Sequence, residues 1–264
     1  MRLAALCAAY LLSLAACNLQ TDPLMATLPP TLPTNPSAFS PSPTPAPLTL
    51  GAELRTLVPP EGEAFQLLAL YFDPARYSFR AHYTPNEAYT LRQWRERLPG
   101  AVGLINANFF TSEHLILGFL VSDGQVYGEP YTDRGGWFGV QNGQAFVRHS
   151  IHEPYRGEPL EQAVQAFPML IWQGQPTQTD SRAVRPSRRT IIGQDGQGRI
   201  VWMVTPALGL GFYPLSHWLA SSGAGLIHAF NLDGGGSTML WFEPLDLHLP
   251  SFDPVPSVLA VYPR

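Results

Sequence analysis

The stretch LIHAFNLDGGGSTMLWF, residues 226–242, decides the fold class of this chain. Apolar residues over 226–232 and 238–242 predict two strands on either side of a glycine turn. Before this stretch, Asp-Gly and Asn-Gly pairs between apolar runs predict three hairpins, because such pairs favour tight hairpin turns. The predicted hairpins span residues 119–127, 137–147 and 191–204. Many hairpins with few helices predict an α+β fold, one domain of mixed or antiparallel sheets, rather than a doubly wound parallel sheet.

The other elements are predicted from apolar periodicity and from capping residues. Thr84 as a cap, Pro85 at the first helical position and Glu87 in a capping box predict a helix that ends at Gly100. Further helices are predicted over 159–167 and 214–221. Strands are predicted over residues 65–72 and 77–83, joined by a turn at Asp73-Pro74, and over 102–105 and 258–262.

The beginning of the chain is typical of an exported lipoprotein. Arg2 precedes an apolar run over residues 3–14, which is shorter than the about 20 residues of a spanning helix. The run ends in Leu-Ala-Ala-Cys, so Cys17 is the expected lipidation site and the anchor to the membrane. We therefore expect a lipoprotein signal peptide over residues 1–17, a disordered linker rich in Pro, Ser and Thr over 18–48, and the extracytoplasmic domain over 49–264.

Charge and cysteine content exclude some classes of function. The net charge is −4 and the chain contains no lysine, so nucleic acid is not an expected partner, because nucleic-acid binding needs clustered positive charge. The two cysteines are Cys7 and Cys17. Because Cys7 lies in the segment that cleavage would remove, the mature chain cannot form an internal disulfide.

The glycine turn is the sharpest candidate site. Gly234, Gly235 and Gly236 carry no side chains, so an anion can approach their N–H groups closely. Asp233 precedes these glycines, and the hydroxyls of Ser237 and Thr238 follow them. The segment is not a Walker loop, which would end in Gly-Lys-Ser/Thr. A flexible turn that holds a structural aspartate is the alternative interpretation.

Two further segments carry groups suited to a sugar phosphate. Arg189 stands where the strand at 190–192 begins, and a guanidinium binds phosphate oxygens bidentately; a solvated arginine pair is the alternative for Arg188 and Arg189. Asn106 and Asn108 follow the strand at 102–105, where their amides can bind sugar hydroxyls. Phe109 and Phe110 follow them, and their rings can pack against the apolar face of a sugar. Alternatively, the two phenylalanines are core residues and the two asparagines form a turn.

Taken together and in this order, Asn-Ala-Asn-Phe-Phe at 106–110, Arg-Thr-Ile-Ile-Gly at 189–193 and Asp-Gly-Gly-Gly-Ser at 233–237 resemble the motifs of the phosphodiester glycosidase family. The resemblance spans residues 102–262. Ala107 and Asn108 depart from the glycines of the first motif, Thr111 from a frequent aspartate, and Ile191 from the usual alanine.

The resemblance implies a hydrolase that cleaves the glycosidic bond of a sugar-1-phosphodiester at the cell envelope. We expect Arg189 and the three glycines to bind the phosphate, because a departing phosphate ester needs charge stabilisation more than protonation. Asp233 is the expected base for water or the carboxylate that stabilises the developing sugar cation. Asn106 and Asn108 would position the sugar, and Glu113 and Arg134 are further candidates for substrate binding.

The sequence leaves open two alternative functions and the presence of a metal ion. The domain could instead be a non-catalytic module that binds glycan or peptidoglycan, or a phosphoesterase that cuts the P–O bond. No cofactor is predicted. His149, His152 and His228 were considered as metal ligands, but no acidic residue completes a site at suitable spacing. A divalent cation beside Asp233 is left undecided by the sequence.

Overall fold

A computed structural model describes residues 51–59 and 65–264 of the chain. The expected signal peptide, the expected linker and Cys17 lie outside the described residues. The boundary of the folded domain at residue 49 therefore stays a prediction.

Strands are the predominant regular elements of the described structure. They are β1 (Ala52–Leu57), β2 (Leu67–Phe72), β3 (Tyr77–Tyr83), β4 (Gly103–Asn106), β5 (Phe119–Ser122), β6 (Gln125–Gly128), β7 (Gly136–Gln141), β8 (Gln144–His149), β9 (Gln162–Ala166), β10 (Met169–Trp172), β11 (Gln175–Pro176), β12 (Thr190–Asp195), β13 (Ile200–Val204), β14 (Leu226–Asn231), β15 (Leu240–Phe242), β16 (Leu247–Leu249) and β17 (Ser257–Pro263). The α-helices are α1 (Leu91–Arg97) and α2 (Phe212–Ser221).

The strands form three sheets. A seven-stranded sheet has the order β1-β2-β13-β12-β14-β10-β11, and two five-stranded sheets have the orders β16-β15-β4-β17-β3 and β6-β5-β9-β7-β8. Every strand pairing within the described residues is antiparallel. Because residues 51–59 and 65–264 contain only two short α-helices, the described fold is mainly β. The α+β prediction is therefore confirmed only in its antiparallel sheets and few helices.

The three predicted hairpins are confirmed as β5–β6, β7–β8 and β12–β13. The turn after Asp73 is also present, since the N–H of Tyr77 donates to the Asp73 carbonyl at 3.1 Å. The strands that this turn joins do not pair with each other, however. β2 lies in the seven-stranded sheet and β3 in a five-stranded one, so the chain changes sheets there.

An aromatic cluster joins two of the sheets in the shared core. Phe72 at the end of β2 contacts Tyr77, Phe79, Trp202 and Phe242 edge to face, with ring centroids between 4.8 and 5.9 Å apart. Edge-to-face pairs of buried rings add to the free energy of area burial. Because the rings come from both sheets, they fix the position of one sheet against the other.

Each helix covers the outer face of one sheet. Leu91 and Trp94 of α1 pack with Trp241 of the sheet that contains β4. Leu215 and Leu219 of α2 pack against the seven-stranded sheet. The predicted helix over 214–221 is confirmed in α2.

The first helix starts later than predicted. Thr84 does not cap a helix: its hydroxyl bonds the carbonyls of Glu87 and Pro256, and Asn86 has a left-handed φ of 64°. Thr90 is the cap instead, in a capping box with Gln93. The predicted start at residue 84 was wrong because a second, real capping box lies six residues downstream.

The helix predicted over 159–167 was wrong, because residues 162–166 form β9 between β5 and β7. Gln162 accepts from the N–H of Ala81 at 2.9 Å, and Gln165 accepts from the N–H of Tyr131 at 2.8 Å. These buried amides bind backbone groups of other segments, and that tertiary context overrides a weak helical propensity.

The other predicted strands are confirmed, with one shift. The strand predicted from Thr238 begins at Leu240, because residues 235–237 form a short 3-10 turn. Within the described residues, no helix is long and apolar enough to cross a membrane.

Candidate functional site

The glycine turn, residues 233–238, lies where the end of β14 and the start of β12 meet the end of β4. The N–H of Leu232 donates to the carbonyl of Thr190 at 2.8 Å, and the N–H of Asp233 donates to the carbonyl of Ala107 at 3.0 Å. The second bond ties the chain that leaves the seven-stranded sheet to the sheet containing β4. The three motifs singled out in the sequence therefore meet at one place.

The glycines of the turn are required by close contacts. A Cβ on Gly234 would lie 2.7 Å from the carbonyl oxygen of Arg188, and Gly235 has a φ of 61°, where glycine is favoured. The N–H of Gly234 donates to Asp233 Oδ1 at 2.8 Å, and that of Gly235 donates to the Arg188 carbonyl at 2.9 Å. Two of the three N–H groups expected to bind an anion are thus already used, and the anion role remains a prediction for Gly236.

Asn106 holds this arrangement together from the end of β4. Its Nδ2 donates to the carbonyl of Asp233 at 2.7 Å. Its Oδ1 accepts from the hydroxyl of Thr190 at 2.7 Å and from the N–H of Met239 at 3.1 Å. The side chain is fully buried and is not among the residues that line the neighbouring cavity. It positions the turn, and its predicted role toward the sugar stays a prediction.

Asp233 carries the carboxyl group of the site. Burial raises its pKa to about 6, because a carboxylate loses hydration there; hydrogen bonds from the Ser237 side chain and the Gly234 N–H oppose the shift, and the charge of Asp253 adds to it. A carboxyl group with this pKa can exchange a proton near neutral pH.

Arg189 carries the positive charge of the site. Its Nε donates to the carbonyl of Leu210 at 3.2 Å and its Nη2 to the carbonyl of Arg185 at 3.1 Å, while the guanidinium lies 3.8 Å from the centroid of the Phe212 ring. No carboxylate among the described residues forms an ion pair with it. Burial and then the charge of Arg185 lower its pKa to about 10, so it stays protonated at neutral pH.

Asp233 and Arg189 line the same cavity of about 460 Å³. Its wall has aromatic surface, backbone from the glycine turn, the exposed Arg185 and one buried cation without a counter-ion, Arg189. The lining residues are Phe109, Ala183, Arg185, Pro186, Ser187, Arg189, Phe212, Asn231, Asp233, Gly234 and Gly235. A buried guanidinium without a counter-ion favours an anionic ligand, and the carboxyl group beside it can accept a proton.

The other predicted residues of the first motif lie outside this cavity. Asn108 is buried, and its Nδ2 donates to the carbonyls of Leu117 and Phe119 at 3.3 and 3.0 Å, which closes the loop between them. Glu113 is exposed on that loop and accepts from the Ser112 hydroxyl at 2.8 Å. Asn108 thus stabilises a loop through these hydrogen bonds. The predicted substrate-binding roles of Asn108 and Glu113 stay predictions.

Three further residues predicted to bind substrate lie near the site: Arg134, Ser237 and Thr238. Arg134 pairs with the neighbouring Asp133 at 2.7 Å and lies over the ring of Phe167. That ring packs 4.7 Å from Phe109 of the cavity wall, so Arg134 lies one side chain away from the cavity. A hydrogen bond from the Ser237 side chain lowers the pKa of Asp233. The side chain of Thr238 is fully buried.

Sequence reasoning missed several residues of the cavity. Asn231 lies inside the strand predicted over residues 226–232, so no site role is predicted for it, yet it lines the cavity. Arg185 also lines the cavity without a predicted role. Phe212 gave no sequence signal, because its place beneath Arg189 depends on α2 packing beside β12.

The histidines do not form a metal site. His149, His152 and His228 do converge, but as rings around Trp172, with His152 and His228 stacked on it at centroid distances of 5.7 and 4.4 Å. Across the described part of the chain, no group of three or more histidine, cysteine or acidic side chains has a geometry suited to a metal ion.

Comparisons with known proteins identify a family and similar folds. A family model described as phosphodiester glycosidase matches residues 99–262. Among solved structures, the zebrafish N-acetylglucosamine-1-phosphodiester alpha-N-acetylglucosaminidase catalytic domain, auto-inhibited by its pro-peptide, is similar with a TM-score of 0.63 and 16% identity, over 83% of this chain and 86% of that one.

Two bacterial structures are also similar in fold. One is a hypothetical protein from Synechocystis, with a TM-score of 0.59 and 16% identity over 81% of this chain and 62% of that one. The other is a putative exported protein from Burkholderia pseudomallei, with a TM-score of 0.52 and 14% identity over 75% of this chain and 74% of that one. No curated protein matches the sequence.

Replacing Asn106 by alanine tests the positioning role of its carboxamide. Asn106→Ala leaves the carbonyl of Asp233, the hydroxyl of Thr190 and the N–H of Met239 without their partner, so we expect the free energy of unfolding to fall by about 3 kcal/mol. Chemical denaturation measures this. The exposed Gln125→Ala on β6 is the control, with an expected change within about 0.5 kcal/mol; equal stability of the two variants would contradict the role.

Proposed function

The chain belongs to the phosphodiester glycosidase family, and we propose that its cavity hydrolyses the glycosidic bond of a sugar-1-phosphodiester. The observation that carries the proposal is that Asp233, with its pKa raised to about 6, and Arg189, buried without a counter-ion, line one cavity. A phosphodiester supplies the negative charge that Arg189 lacks, and the bond to be cut then lies beside the carboxyl group.

In the proposed reaction, Asp233 accepts a proton from water as that water attacks the anomeric carbon. The bond between the anomeric carbon and the phosphate oxygen breaks, and its electron pair leaves with the phosphate monoester. Arg189 stabilises the charge that develops on this leaving group. Because a phosphate ester is a weak base, its departure needs no second carboxylic acid, unlike that of an ordinary sugar alcohol.

The remaining groups bind and position the substrate in this proposal. Phe109 and Phe212 offer aromatic surface to the apolar face of a sugar ring. Gly236 keeps its predicted role as an N–H donor to phosphate. Asn106 binds the backbone carbonyl of Asp233 and is therefore a positioning residue.

The location at the cell envelope is part of the proposal. It is supported by the Leu-Ala-Ala-Cys sequence that ends at Cys17 and by the name of the similar exported protein. A sugar phosphate or a glycan of the cell wall is then the accessible substrate. Mass spectrometry of the mature N-terminus would detect the lipid on Cys17, and an unmodified N-terminus would refute the anchor.

Hydrolysis of a small panel of sugar-1-phosphodiesters by the purified protein tests the reaction. We expect release of free sugar from at least one of them, and a loss of about 100-fold or more in Asp233→Asn, since a general base contributes on that order. Asp246→Asn is the matched control, because Asp246 is exposed in a left-handed turn that asparagine also tolerates. Full activity in Asp233→Asn would refute its role. Glycan bound but never cleaved would favour a binding module.

The pH dependence of kcat/KM follows from the raised pKa of Asp233. The carboxylate is the active form, so kcat/KM should fall about tenfold per pH unit below about 6 and level off above it. Acid unfolding through this group does not explain such a fall. Because its pKa is raised in the folded state, protonation stabilises the fold between the ordinary pKa of 3.8 and about 6. A flat profile from pH 4.5 to 7 would contradict the assignment.

A further inference from the structure

Arg188 is a second buried cation beside the glycine turn. Its side chain is only 6% exposed and does not line the cavity of Arg189. Nη2 donates to the carbonyl of Pro250 at 3.3 Å, but Nε and Nη1 are buried and have no hydrogen-bond partner among the described residues. No carboxylate of the described chain pairs with it either. A buried charge in this state lacks the partners that normally compensate its lost hydration.

A second polar group without a partner lies on the loop whose Pro250 carbonyl Arg188 binds. Ser251 follows Pro250 directly, and its buried hydroxyl has no hydrogen-bond partner within the described structure. The loop that carries both residues is fixed to the glycine turn, since the N–H of Phe252 donates to the carbonyl of Gly236 at 2.7 Å. Two unpartnered donors on adjoining segments are both satisfied by one ligand with several acceptor oxygens.

An aromatic side chain covers this place. The ring of Phe252 lies with its centroid 4.4 Å from the Arg188 guanidinium, yet the residue is 79% exposed. The exposed ring can therefore turn into solvent without disturbing the core. Its contact with the cation compensates part of the missing hydrogen bonding while no ligand is bound.

We propose that Arg188 and Ser251 form a second anion site, covered by Phe252, where the loop at 250–253 meets the glycine turn. The ligand is an oxyanion, a phosphate or carboxylate, borne by the leaving-group side of a substrate whose phosphodiester binds at Arg189; this assignment rests on the proposed function. The substrate class is thus a sugar phosphodiester with a second negative group beyond the scissile bond.

Titration calorimetry of the purified full chain with inorganic phosphate tests the site. We expect two phosphates per chain in the parent and one in Arg188→Gln. Arg182→Gln is the charge-matched control with two, because Arg182 is exposed and paired with Asp180 at 2.9 Å. Phe252→Ala, at an exposed position that does not endanger folding, should tighten the second phosphate several-fold because no ring has to move. The proposed site is overturned if the parent binds one phosphate per chain or if folded Arg188→Gln binds two. It is also overturned if Phe252→Ala binds the second phosphate with the same affinity as the parent.

A pair of esters tests whether the second anion belongs to the substrate. Benzyl and 4-carboxybenzyl esters of the same sugar 1-phosphate differ only by a carboxylate on the leaving side. The parent should favour the carboxybenzyl ester by about tenfold in KM, as expected for one charge-assisted contact, and Arg188→Gln should lose this preference. Equal KM values in the parent overturn the substrate role. Hydrolysis of neither ester would refute the proposed function, while the phosphate stoichiometry would still decide the second site.

Discussion

The site depends on one buried carboxamide. Asn106 ends β4 and bonds the carbonyl of Asp233, the hydroxyl of Thr190 and the N–H of Met239. These partners belong to the glycine turn, to the start of β12 and to the segment before β15, so a single side chain connects the two sheets where they meet. Because its nitrogen and its oxygen both bind partners in a fully buried place, removing it leaves several groups unsatisfied at once.

Around this carboxamide, the fold keeps two charged groups in an environment that disfavours charge. Burial raises the pKa of Asp233 and lowers that of Arg189, and each shift reflects hydration lost on folding. The two residues are held by backbone groups and not by a mutual ion pair, which leaves both available to a ligand. Aromatic burial in the core, such as that of Phe72 against Trp202, supplies stability that offsets this cost.

Local signals predicted most strands but not the long-range structure. Asp-Gly and Asn-Gly pairs gave the hairpins correctly, since such turns depend on a few adjacent residues. β9 was mistaken for a helix because its buried Gln162 and Gln165 bind distant backbone groups. The first helix was extended to Thr84 because a local capping pattern does not reveal the bond of that threonine to Pro256.

The candidate site was partly predictable for the same reason. Asp233 and Arg189 could be singled out, because a glycine turn and a strand start are visible in the sequence, and the structure brings both to one cavity. The setting of Asn106 could not be predicted, since its partners come from three distant segments. The burial of Arg188 was equally hidden, because it depends on the loop at 250–253.

The central claim is that the protein breaks the bond between the anomeric carbon and the phosphate oxygen. The most direct test uses a sugar-1-phosphodiester that the protein hydrolyses. The reaction is run in water enriched with heavy oxygen, and both products are analysed by mass spectrometry. The account predicts heavy oxygen in the released sugar, because water attacks the anomeric carbon while the phosphate departs intact. Heavy oxygen in the phosphate product would mean P–O cleavage and would contradict the account.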